Sequence, residues 1–212
     1  MDGEHPLFTT PFVEALRSLV ARHHSIYPRI PPQGIFFESL VERAFLAVGW
    51  PRSQVIPTAP NSPSHDLTIG ATKISVKTET GLGTKPTRIS ITKLCTTETG
   101  AWTSEALVRH ALNHLARYEY ILMLRAILSP GVAYHYQLLD IPISLLRGIE
   151  GRLALPVGTR AGRRSLAMDV VGDDGGVLFH VHFDGADGKC QIQRLRVEPC
   201  RMLLEWDQPT DA

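Results

Sequence analysis

Cysteine is scarce in this chain, and what there is forms no pattern. Cys95, Cys190 and Cys200 are odd in number and show no C-x-x-C spacing. That excludes a disulfide framework or a zinc knuckle and reads as reduced thiols in a cytoplasmic protein. An excess of one charge is also missing: 22 Lys and Arg against 21 Asp and Glu leave a formal net charge of +1. A histone-like or ribosomal binder is thereby excluded, while a basic cleft on a balanced surface is not. No apolar run approaches the roughly 18 residues that cross a bilayer. Met1-Asp2-Gly3-Glu4-His5 has neither the basic nor the apolar region of a signal peptide. Both G-x-x-x-x-G-K-[ST] and G-x-S-x-G are absent, and Gly81-Leu82-Gly83 lacks the rest of a dinucleotide fingerprint. His110 and His114 are spaced i, i+4, but Ala111 stands where an H-E-x-x-H helix carries its glutamate, so zinc is not expected.

What is present is enough apolar sequence, 43% of 212 residues, for one substantial core. Phe12, Val13, Leu16, Leu19 and Val20 predict a helix over Pro11 to His24, with Thr10 as N-cap. A second helix is predicted from Ile35 to Val48: Phe37, Leu40, Val41, Ala44, Phe45 and Val48 fall on one face and Gly49 stops it. Strands are expected at Ser53 to Thr58, Asp66 to Ile69, Lys73 to Thr80 and Arg88 to Leu94. Ser104 to Arg117 is again amphipathic, and Tyr120 to Leu128 is a continuous apolar run, as in a strand covered on both faces. Val132 to Leu139 alternates as its partner, and Ser144 to Ile149 reads as a short helical turn. Beyond Gly151 glycine and aspartate punctuate short strands, with Asp184-Gly185-Ala186-Asp187-Gly188 a strong hairpin signal.

The chemistry-bearing stretch is Ser64-His65-Asp66-Leu67-Thr68-Ile69 followed by Ile74-Ser75-Val76-Lys77-Thr78-Glu79. An acid opens one short strand and a lysine sits within the next. A metal-dependent phosphodiesterase needs this layout: a carboxylate for a divalent cation, and an ammonium to steady an attacking water or the charge building on phosphate.

Helix, three strands, helix, strand, with the acid at the second strand and Ser-x-Lys in the third, resembles the PD-(D/E)xK nuclease superfamily, the fold of most type II restriction endonucleases. The resemblance covers roughly Ile35 to Leu128. It implies an α/β fold with a restriction-endonuclease-like αβββαβ core, a mixed central sheet flanked by helices, and a C-terminal β-rich lobe. The expected organisation is a single nuclease domain over 1–212, with a core at about 35–150 and a DNA-recognition lobe at about 151–206. Asp66 matches the metal-bridging aspartate, with His65 in place of the usual proline, and Lys77 matches the motif lysine. Ser75 stands where a second acid is usual. Some restriction enzymes of the superfamily carry Ser-Val-Lys here and recruit an acid from elsewhere. Glu38 on the first core helix and Glu79, which strand period puts on the face of Ser75 and Lys77, are the candidates; Glu42 projects from a more exposed angle. Mg²⁺ is implied on Asp66, Glu38 and the Val76 carbonyl.

Recognition candidates lie in the lobe. Thr159-Arg160-Ala161-Gly162-Arg163-Arg164 reads as a basic loop for phosphate contact. Lys189, Gln191 and Gln193 share one face of a strand that continues to Arg194, and Arg and Gln are side chains that bond base edges bidentately. His180 and His182 alternate on a neighbouring strand. The expectation is a Mg²⁺-dependent type II restriction endonuclease, acting as a homodimer on double-stranded DNA beside a cognate methyltransferase. A nuclease-like DNA-binding subunit that has lost activity, with Ser75 the scar, is the alternative outside enzymes; a junction-resolving or repair nuclease is the alternative within them.

Overall fold

A computed structural model describes residues 4–59, 65–97, 101–129, 133–160 and 163–209, the side chains of 129, 133, 159, 160 and 163 excepted. The chain forms two compact units that interleave along the sequence. One comprises Met1–Thr84, Tyr118–Ile141 and Arg201–Ala212, the other Lys85–Arg117 and Pro142–Cys200.

The first unit holds helices α1 (Thr10–Ile26) and α2 (Ile35–Ala47) and strands β1 (Val55–Pro57), β2 (Leu67–Ile69), β3 (Thr72–Gly81), β5 (Tyr120–Ser129), β6 (Ala133–Asp140) and β11 (Arg201–Pro209). Thr9, rather than Thr10, occupies the N-cap of α1, so that Pro11 falls within the first turn, where a missing N–H costs nothing. Buried Phe37, Val41, Ala44 and Phe45 recur along α2 at helical spacing. Gly34 and Gly49, at φ 54° and 95°, take the left-handed backbone that bounds it. The strands form one mixed sheet in the order β1-β2-β3-β5-β6-β11. Among the described residues only β3 and β5 run parallel, with Ser75 opposite Ile121 and Lys77 opposite Met123. Alternation gives the sheet two faces. Ile74 and Val76, Leu122 and Leu124, Tyr136 and Leu138, and Trp206 pack with the helix stripes in one apolar cluster. Ser75, Lys77 and Glu79 project from β3 on the opposite face, as strand period two requires.

The second unit holds β4 (Arg88–Thr96), α3 (Ser104–Leu115), a short α4 (Ile143–Leu146) continued by a single 3-10 turn, and β7 (Leu155–Arg160), β8 (Arg163–Val171), β9 (Val177–Asp184) and β10 (Lys189–Arg196). Its sheet is antiparallel throughout, in the order β4-β10-β9-β8-β7. Thr103 caps α3, its Oγ1 accepting from the Ala106 N–H at 3.3 Å. The hairpin signal at Asp184 to Gly188 joins β9 and β10, with Gly188 at φ 58°.

Most expected elements are present, with three corrections of detail. β4, expected within the 35–150 core, pairs with β10 in the sheet of the second unit. The last strand, expected in the β-rich lobe, pairs with β6 in the mixed sheet. Of the expected basic loop at 159–164, Ala161 and Gly162 lie outside the described residues, and the rest are strand ends, Thr159 opposite Arg164 and Arg160 opposite Arg163.

Candidate active site

Asp66 lies at the mouth of β2, where that strand has given out and β3 continues. Leu67 pairs with Ile74, so Asp66 stands opposite Ser75. The N–H of Val76, which would otherwise need a further ladder partner, donates instead to Asp66 Oδ2 at 2.6 Å, and the buried Ser75 hydroxyl donates to the same oxygen at 3.1 Å. Lys77 Nζ is 3.6 Å from that oxygen and 3.3 Å from the Val76 carbonyl. Three donors thus converge on Oδ2, while Oδ1 takes no hydrogen bond from a described residue. Two hydrogen bonds from one strand fix the carboxylate without neutralising it, leaving an acceptor of known orientation at the start of β2.

Glu38 projects from the first turn of α2, half-buried. Burial raises its pKa, the Asp66 carboxylate raises it further, and the Lys77 ammonium works against both. The helix therefore brings a second carboxylate into the field of the first, where two like charges disfavour each other. Glu42, one turn on, is engaged by Arg52.

Glu79 has a different setting. Arg125 Nε donates to Glu79 Oε2 at 2.7 Å, and Arg125 is fully buried. The same guanidinium donates through Nη1 to Gln137 Oε1; Gln137 Nε2 donates to Glu205 at 3.1 Å; His135 bonds Glu205 at 2.6 Å and Asp207 at 2.9 Å. The row crosses β3, β5, β6 and β11 side by side on the face that carries Lys77. Arg125 escapes a sequence reading because it sits alone in the apolar run Tyr120 to Leu128. The available signal is that lone cation at a strand centre, where a buried charge needs a partner.

The recognition candidates all fall in the second unit. Gln191 and Gln193 do share a face of β10, where Gln193 Nε2 donates to Gln191 Oε1 at 2.9 Å and His182 Nδ1 lies 3.4 Å from the same oxygen. Lys189 pairs with Asp187 at 2.7 Å. Arg194 is exposed at a register shift, with a φ of 55°. Arg164 is exposed, and its carbonyl accepts from the Trp102 indole N–H. The side chains of Arg160 and Arg163 lie outside the described residues. His180 bonds Asp169 at 2.8 Å.

Among the described residues no three His, Cys, Asp or Glu side chains gather as a metal-binding group. Mg²⁺ does not require such a cage, since it is commonly held by one or two carboxylates and keeps several waters. Asp66 with an open Oδ1, Glu38 in mutual repulsion with it, and the Val76 carbonyl at the strand edge fit that requirement. Zinc and other soft ions, which favour His and Cys, are poorly matched by an all-oxygen set.

A family model named SmaI, described as type II site-specific deoxyribonuclease, matches residues 6–208. The type II restriction enzyme SmaI of Serratia marcescens is 32% identical over 148 residues, 69% of this chain and 60% of that protein. The chain thus spans about three fifths of that relative. A solved restriction endonuclease in complex with substrate DNA aligns with a TM-score of 0.36 and 19% identity, over 65% of this chain and 63% of the other. With the family match running through both units, from ahead of α1 into β11, this chain belongs to the SmaI family of type II site-specific deoxyribonucleases.

Proposed function

We propose that the protein is a Mg²⁺-dependent restriction endonuclease that hydrolyses phosphodiester bonds of double-stranded DNA at a short specific sequence. The observation that carries this is the Asp66 carboxylate, fixed by Ser75 and Val76 and 3.6 Å from Lys77, in a chain of a deoxyribonuclease family. Asp66, Glu38 and the Val76 carbonyl would hold the cation, which supplies Lewis-acid stabilisation of phosphate charge and lowers the pKa of bound water. The remaining work belongs to the chain. Ser75 and the Val76 N–H hold Asp66 in one rotamer. Lys77 offers protons to the non-bridging phosphate oxygens, or to the attacking water, at the side of the carboxylate. Glu79 is placed outside this set, as the partner of Arg125, and Ser75 is an orienting donor rather than a ligand.

Duplex sites are commonly two-fold symmetric, so the working form is a homodimer, and a methyltransferase of the same specificity would protect host DNA. In the second unit, Arg160, Arg163 and Arg164 serve phosphate contact, and Lys189, Gln191, Gln193 and Arg194 serve the base edges.

The test is incubation of plasmid DNA with the protein and Mg²⁺. Discrete fragments that vanish with a chelator support the proposal. A smear indicates a nonspecific nuclease. Intact DNA that is nevertheless bound indicates a nuclease-like binding subunit, for which Ser75 in place of an acid is the specific reason.

A further inference from the structure

On α3, Leu107, Val108, Ala111 and Leu115 turn inward, while Glu105, Arg109 and Asn113 follow one another at i, i+4 and i+8 on the exposed side. Grooves of about 540 and about 260 Å³ flank this line, and Arg109 and Asn113 border both. Arg147 and Arg152 line the far wall of the larger groove, and Arg117 the end of the smaller. Four arginines against Glu105 and Glu150 leave this face at +2, on a chain whose total is +1. The compensating acids of the chain are therefore elsewhere.

Their hydrogen bonding leaves much of this charge unused within the molecule. Arg109 makes no ion pair with a described residue. Arg152 donates from Nε to the Gly148 carbonyl at 2.7 Å, which fixes the stem and leaves both Nη groups without a described partner. Arg147 pairs with Glu150 at 3.1 Å in an exposed contact, of a kind that solvent makes weak and that is easily exchanged for a better anion. An asparagine amide sits between the two grooves. Planar guanidinium forks with an amide between them match phosphate oxygens.

We infer that the exposed face of α3, with Arg109, Asn113, Arg117, Arg147 and Arg152, is a second DNA contact surface that binds the phosphate backbone of the duplex without reading its sequence. This rests on the proposed action on DNA, and it assigns backbone contact to residues none of which belongs to the strand-borne recognition set.

The test is fluorescence anisotropy with several labelled duplexes in Ca²⁺, to allow binding without cleavage, across a range of salt concentrations. R109A and R152A should each flatten the slope of log affinity against log salt by about 0.9, and together weaken all duplexes by about tenfold. R109K, which keeps the charge, should keep the wild-type slope, and it remains informative if R109A does not fold. Wild-type affinity and slope in the double variant would overturn the inference while leaving DNA cleavage standing. Absence of duplex binding by the wild-type protein would overturn both. If sedimentation shows that R109A or R152A breaks a dimer at unchanged intrinsic DNA affinity, the face belongs to a second copy of the chain and the inference is wrong.

Discussion

Lys77 and Glu79 leave the same face of β3 two residues apart, yet the two ends of that strand are built on opposite principles. Toward Glu79 every charge is answered: the buried Arg125 bridges Glu79 and Gln137, and the row continues through Glu205 to His135 and Asp207. Toward Lys77 the charges are only partly answered, by the 3.6 Å pair of Lys77 with Asp66 Oδ2. Asp66 has an oxygen without a described donor, and Glu38 is pushed toward protonation by burial and by Asp66. A satisfied row specifies structure, whereas an unsatisfied pair of carboxylates leaves free energy available to a cation. The difference separates two acids that strand periodicity alone treats as equivalent.

The comparison is broken most decisively at Asp66. D66A should lower cleavage by more than about a thousandfold while leaving duplex binding intact, and K77A by about 10²–10³-fold, the scale for removing one preorganised charge or donor from a reacting phosphate. Gel-based cleavage rates with matched thermal unfolding curves check this; loss of activity that tracks loss of stability would make Lys77 structural. At the other end the effect should be on stability. R125A takes the buried guanidinium away from the part-buried Glu79 and from Gln137, and should cost about 3–5 kcal/mol in denaturant unfolding. E79Q should unfold more easily but keep the wild-type Mg²⁺ requirement. A Mg²⁺ requirement raised by E79Q as much as by E38Q would erase the distinction between the two ends.

E38Q sharpens it. Burial and Asp66 raise the Glu38 pKa above its unfolded value, so the ionised form costs stability near neutral pH, and that cost is relieved as pH falls through the raised value. Removing the charge should therefore raise the metal-free unfolding midpoint, by up to about 2 °C for a half-exposed group. It should also abolish the further rise that Mg²⁺ gives the wild type. The smallest effect is expected at His135. Burial opposes its charge, but the bonds to Asp207 and Glu205 outweigh burial and hold its pKa above the ordinary imidazole range. The pair contributes fully below the unfolded pKa and is lost as pH rises through the folded one. H135A should thus cost about 1 kcal/mol or less at pH 5.5, given the exposed partners, and nothing at pH 9, by denaturant titration.

The parts legible in the sequence are those governed by near neighbours. The stripes of α1, α2 and α3 follow from helical period, the apolar run of β5 from burial on both faces, and the β9–β10 turn from its glycines. Asp66, Ser75 and Lys77 come together because a two-residue turn at Gly70-Ala71 forces β2 against β3. What the sequence hides depends on distant partners. β4 alternates as any strand does, and nothing local says that β10, about a hundred residues on, will pair with it. Glu79 is indistinguishable from a metal ligand until Arg125 arrives from the adjacent parallel strand. Glu38 could be nominated by its place on the helix, but its nearness to Asp66 depends on how α2 lies against the strands.

The pairing of β6 with β11 carries a consequence for how the chain folds. Asp140 and Arg201 are register partners, so everything between them leaves the first sheet and returns to it at a single point. Closing a loop on the order of 60 residues instead of a three-residue turn adds only about 3 kcal/mol of chain entropy. The sheet can therefore carry that long excursion at equilibrium. Kinetically the requirement is steeper, because contacts this far apart in sequence form late. The β6–β11 edge should be the last seam of the sheet to close in refolding. In native-state hydrogen exchange it should be the first to open, ahead of the β3–β5 centre, where Ile121 to Leu124 are wholly buried.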